Sequence, residues 1–207
     1  MHQPSLLHLL PLTMLLAAGC GSKKKRPRII VAMDVSGSTV PERGSQLTAL
    51  DEIVRKARQE LLIAEIWTFH ATSQRVIDAS PNINKDLLNA VKRTEMSVIL
   101  SKKLNGKGTL LSKLFSSIKD DVTNRLNKQE ATVLVLLTDG GIDENPKPVK
   151  SALAQLMKDY PNLQLVVCGI ESSQRGIWNT VVDQRDAARF STCAYQTLRD
   201  EIVRLAR

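Results

Sequence analysis

Aromatic side chains are few: three Phe, two Tyr and two Trp in 207 residues. A core built on stacked rings is excluded, and Leu, Ile and Val must fill the interior, which favours α/β packing. Histidine is equally scarce. After His2 and His8 there is only His70, and no Gly-x-Ser-x-Gly elbow occurs, so a serine hydrolase lacks its parts. The three cysteines, Cys20, Cys168 and Cys193, have a spacing that fits no zinc motif. Nor is there a Walker-type loop or a dinucleotide fingerprint; "GSTVPERG" has neither the glycine spacing nor the lysine. The length is that of one domain of ordinary size.

Charge of one sign is also missing where it first looks abundant. The net charge is +8, but five of the 29 basic residues (Lys23, Lys24, Lys25, Arg26 and Arg28) lie in "KKKRPR", which leaves 24 against 21 acids elsewhere. The remainder is nearly balanced, and no nucleic-acid partner is expected. Residues 1–19 contain no Lys, Arg, Asp or Glu, and Leu6 to Ala18 is mostly apolar. This is a signal-peptide pattern, short for a membrane span. Its ending "LLAAGC" resembles the lipobox of bacterial lipoproteins, which implies lipidation of Cys20. The expected organisation is a lipoprotein-type signal over 1–19, a lipidated Cys20 with a basic tether over 20–28, and one folded domain over 29–207. A lipid chain beside a polybasic patch holds a protein at an anionic membrane surface; a plain solvated linker is the alternative. The location implied is extracytoplasmic and membrane-anchored. Cys168 and Cys193 read as buried free thiols, with a disulfide the alternative in an exported chain.

Apolar runs at Ile29–Met33, Leu61–Phe69, Ala131–Leu137 and Leu163–Ile170 read as strands, with short ones at Gln74–Ser80 and Phe190–Tyr195. Helical spacing appears in Leu47, Leu50, Ile53, Val54 and Ala57, from Leu110 through Leu126, and in Val149, Leu153, Leu156 and Met157. Shorter helices are expected at Asp86–Lys92, over Ile177–Ala188, and at the end through Leu198, Ile202 and Leu205. The alternation predicts an α/β fold: a Rossmann-like, doubly wound sheet, mostly parallel with one antiparallel edge strand, and helices on both faces.

In such a fold ligands bind at the carboxyl ends of the strands, near the reversal of strand order. Asp34 sits just past the end of the first strand, in "MDVSGSTV", and Asp139 just past the end of the central one, in "LLTDGG". A buried acid costs several kcal/mol unless something pairs with it, roughly as for other buried charges. A metal ion would do so. Between the two aspartates, "NGKGTLL" puts Thr109 at the start of a helix. Taken singly, each piece is an ordinary turn or helix cap.

Together, Asp34-x-Ser36-x-Ser38, Thr109 and Asp139 resemble the metal-ion-dependent adhesion site (MIDAS) of von Willebrand factor type A domains. The resemblance implies that Ser36, Ser38 and Thr109 ligate directly, that Asp34 and Asp139 act largely through waters or hydrogen bonds, and that an open position accepts an exposed Asp or Glu of a protein partner. Mg²⁺ suits all-oxygen ligands, with Mn²⁺ or Ca²⁺ as alternatives. Lys102, Lys103 and Lys107 could steer an acidic partner segment, or belong to a plain solvated loop, and Asp143 and Glu144 read as surface charges. Because the site reads as lying on a rim, Asp34→Ala and Asp139→Ala are both expected to spare the fold.

The implied function is non-enzymatic. A haloacid-dehalogenase-type phosphohydrolase needs a second acid two residues after the first, and Ser36 stands there, so the proton donor is missing. A scaffold subunit of an envelope complex, with the metal site unused, is the other alternative. Oligomeric state and partner identity leave no mark on the sequence.

Overall fold

A computed structural model describes residues 28–59, 62–70, 73–77, 109–123, 130–170, 174–198 and 200–201. The six strands are β1 (Arg28–Asp34), β2 (Ile63–Phe69), β3 (Ser73–Ile77), β4 (Thr132–Leu137), β5 (Leu163–Cys168) and β6 (Phe190–Cys193). The helices are α1 (Arg43–Gln59), α2 (Leu111–Thr123), α3 (Pro146–Asp159) and α4 (Arg175–Val181). One sheet runs in the order β3-β2-β1-β4-β5-β6. All neighbours are parallel except β2 and β3, which pair antiparallel at the edge.

β1 is buried along its whole length because both faces of the sheet are covered. Successive side chains of a strand point to opposite faces. Ile29, Val31 and Met33 therefore join Leu50, Ile53 and Ala57 of α1 in one core. Ile30 and Ala32 join Leu111, Leu114, Phe115 and Ile118 of α2, and Val149, Leu153, Leu156 and Met157 of α3, in the other. Each such side chain contributes roughly 1.5–3 kcal/mol of burial, so two full layers hold β1 and β4 rigidly side by side. From β1 the chain moves outward through β2 to β3, and it then returns to the other side of β1 as β4. The crevice above their carboxyl ends is the reversal point.

Several expectations change. Arg28, counted with the basic tether, is the buried first residue of β1 and pairs with Glu65 at 2.6 Å and Glu130 at 3.8 Å. Cys168 and Cys193 form a disulfide rather than remaining free thiols. Parallel register places them directly opposite each other at the ends of β5 and β6. The stretch 177–188 is not one helix. α4 stops at Val181, Val182 is extended, and Asp183 caps a separate 3-10 turn over Gln184–Arg189 by accepting the Arg185 N–H at 3.1 Å. Expectations for Cys20 and the signal, for Lys102, Lys103 and Lys107, for Asp86–Lys92, and for Ile202 and Leu205 lie outside the described residues. Among the described residues no helix is long and apolar enough to cross a membrane.

Candidate metal centre

Asp34 is the last residue of β1 and is wholly buried. Its Oδ1 accepts the Ser36 N–H at 2.9 Å; its Oδ2 accepts the Thr138 hydroxyl at 2.9 Å and the Thr109 hydroxyl at 3.3 Å. Burial pushes its carboxyl above the usual carboxylate range. The Ser36 and Thr138 hydrogen bonds pull it back, and the charge of Asp139 adds to the rise. An acid in this state is stabilised by any cation that reaches it.

The loop after β1 is held from behind. The Thr39 hydroxyl donates to the carbonyls of Asp34 (3.1 Å) and Ser36 (3.0 Å), and the Arg43 guanidinium donates to the same two carbonyls at 2.9 and 3.2 Å. Burial lowers the Arg43 pKa, and the charge of Asp34 counters it. With those carbonyls satisfied, the hydroxyls turn the other way. Ser36 Oγ and Ser38 Oγ lie 3.0 Å apart, the first buried and the second exposed.

From the β4 side, Thr138 and Asp139 leave the sheet together. The Thr138 hydroxyl both donates to Asp34 and accepts the Gly140 N–H at 3.1 Å. Gly140 has φ +84°, and a Cβ there would run into Gln174 and Ile170, so only glycine gives this turn without strain. The Trp178 indole N–H donates to its carbonyl at 3.3 Å. Asp139 is half-buried, and its Oδ1 accepts the Gly141 N–H at 3.0 Å. Behind this turn the Tyr195 hydroxyl donates to the Thr138 carbonyl at 3.1 Å, with its pKa raised by burial and then by the charge of Glu42.

Asp34, Ser36, Ser38, Thr109 and Asp139 thus stand together above the carboxyl ends of the central strands β1 and β4. Thr39, Arg43 and Thr138 were missed by sequence reasoning. Thr138 adjoins Asp139 in "LLTDGG" and Thr39 continues the hydroxyl run, so both carried a signal, whereas Arg43 carried none. Asp143 and Glu144 are not plain surface charges. Asp143 Oδ2 accepts the Thr109 N–H at 2.8 Å, Glu144 Oε1 accepts the Ser112 N–H at 2.7 Å, and Glu144 Oε2 accepts the Ser112 hydroxyl. His70, just beyond β2, offers its carbonyl to the Leu110 N–H at 3.1 Å. Among the described residues no three His, Cys, Asp or Glu side chains gather around one point. Any cation here would be held by hydroxyls together with the two aspartates, a hard, all-oxygen donor set.

An open, mostly parallel sheet with a hydroxyl-and-aspartate cluster at its reversal point defines the class. No family model matches the sequence, and no curated protein does. Solved structures do. Proximal thread matrix protein 1 from the mussel byssus, solved with a zinc-occupied MIDAS motif, superimposes with a TM-score of 0.61 at 12% identity, over 88% of this chain and 48% of that one. An aerotolerance-related membrane protein from Bacteroides fragilis gives 0.62 at 13% identity over 86% and 98%. A von Willebrand factor type A structure from Catenulispora acidiphila gives 0.54 at 14% identity over 88% and 42%. The chain has the von Willebrand factor type A fold. It spans about half the length of the mussel protein.

Proposed function

We propose that this domain is a non-enzymatic interaction module. It binds an exposed Asp or Glu of a protein partner through a Mg²⁺ ion held by Ser36, Ser38 and Thr109, with Asp34 and Asp139 acting through water or hydrogen bonds. The observation that carries the reading is the 3.0 Å separation of Ser36 Oγ and Ser38 Oγ beside the carboxylate of Asp34. The two hydroxyls are hydrogen-bonded to each other at that distance, and an all-oxygen donor set of this kind suits Mg²⁺. A bound ion supplies a Lewis-acidic position for a carboxylate. The protein's own part is to keep the hydroxyls converged and Asp34 desolvated.

The zinc-occupied motif of the mussel protein supports a divalent ion on this fold. The Bacteroides fragilis membrane protein supports an envelope setting, consistent with the reading of 1–19 as a lipoprotein-type signal, Cys20 as the lipidated residue and 29–207 as the domain. Lys102, Lys103 and Lys107 are proposed to steer the acidic partner segment. Calorimetric titration of Mg²⁺ into the full chain tests the central claim. One-site binding that is lost in Ser36→Ala and Thr109→Val supports it; saturable binding that survives both changes would sink it.

A further inference from the structure

Thr109 stands two residues before the start of α2, and its hydroxyl donates to Asp34 at 3.3 Å. A helix start leaves N–H groups that need acceptors. The loop after β4 supplies one, since Glu144 takes the Ser112 N–H at 2.7 Å and the Ser112 hydroxyl, and just ahead of the helix Asp143 takes the Thr109 N–H at 2.8 Å. These bonds span 32 and 34 residues. The next residue, Asn145, turns to α3 instead and accepts the Lys147 N–H at 3.0 Å. Consecutive side chains Glu144 and Asn145 thus cap two different helices, and Asp143 fastens the residue that leads into the first.

We infer that Asp143 and Glu144 are positioning residues for the metal centre: by holding the Thr109 backbone and the first turn of α2 from outside they keep the Thr109 hydroxyl at the ligand position, so ion affinity depends on two carboxylates that do not touch the ion. This rests on the metal reading above. Two features make the clamp specific. The Asp143 bond is to the backbone of the ligand residue itself, so its loss lets Thr109 rotate as well as shift. The same loop carries Asp139 at its other end, so the clamp ties the Thr109 and Asp139 sides of the cluster into one unit. Outer-shell partners of this kind typically change affinity by about 10- to 100-fold when removed.

The test is Mg²⁺ calorimetry on the full chain carrying Asp143→Ala, Glu144→Ala, Asp143→Asn or Glu144→Gln, with amide exchange at Thr109 and Ser112 measured on the metal-free proteins. The expected result is affinity lowered about 10- to 100-fold in the alanine variants, faster exchange at those two amides, and unchanged exchange in β1 and β4. The amide variants keep an oxygen acceptor and are expected to restore affinity to within about threefold. Alanine variants that bind like wild type would overturn the clamp. So would amide variants as weak as alanine, because charge and not the bond would then be acting. Absence of saturable binding in wild type would instead overturn the metal reading, and the exchange rates would still decide whether the clamp exists.

Discussion

The two halves of the candidate centre are braced in opposite ways. On the β1 side, Asp34, Ser36, Thr39 and Arg43 fasten one loop to itself through bonds spanning no more than nine residues. On the α2 side, Thr109 has no such local frame among the described contacts and is held by Asp34 and Asp143, the nearer of them 34 residues away, while Glu144 holds Ser112 across 32 residues. Local bracing comes with the stretch that carries the ligands. Remote bracing forms only once the sheet has assembled, and so depends on its loop-closure entropy.

Arg43→Met should separate the halves most clearly. It removes two charged hydrogen bonds from buried carbonyls, each worth about 1.5–3 kcal/mol, so a loss of about 3 kcal/mol is expected in urea denaturation. If it cost no more than Asp143→Ala, the contrast would be broken. Asp34→Ala comes next. Sequence reading put both aspartates on the rim, but Asp34 is wholly buried and Asp139 only half-buried. Removing Asp34 takes the acceptor from two threonine hydroxyls and the Ser36 N–H, partly offset by relief of a buried acid, for a net cost of about 2 kcal/mol. Asp139→Ala should stay within about 0.5 kcal/mol. Equal melting shifts for the two variants would remove the distinction.

The smallest effect belongs to Asp183, a half-buried brace within a surface turn. Its hydrogen bonds to Arg185 hold its pKa at about 2, below the ordinary 3.8. The native state thus binds fewer protons than the unfolded chain in this window. Its contribution is complete above 3.8 and fades as pH falls towards 2. Asp183→Asn should flatten that part of the stability curve, lowering stability slightly at pH 7 and leaving it unchanged at the acid end, where the carboxylate is already protonated. An unaltered slope between pH 4 and pH 2, on the order of the window just given, would show that the turn gains nothing from the charge.

The same contrast explains what could be read from sequence. The four long strands show as apolar runs because both sheet faces are covered, and the inward faces of α1 and α3 follow from helical spacing. The aspartates and hydroxyls of the cluster were legible through the order and spacing in which they occur. Asp143 and Glu144 were not, since an acid beside a proline-bearing helix start looks like any solvated charge until α2 arrives. Arg43 hid for a related reason: its partners are backbone carbonyls, which every residue has. The Cys168–Cys193 pair needed the register of β5 and β6, which sets the two cysteines opposite each other only once the strands have paired.

The double use of the Asp143-Glu144-Asn145 stretch sets unequal tolerances to chain length. A residue inserted between Asp139 and Asp143 would pull the carboxylate away from Thr109. One inserted between Glu144 and Asn145 would leave each cap attached to its own helix. The motif that describes this rim is therefore longer than its five oxygen donors, and a search for chains built the same way should ask for Asp-x-x-x-Asp-Glu after the fourth strand.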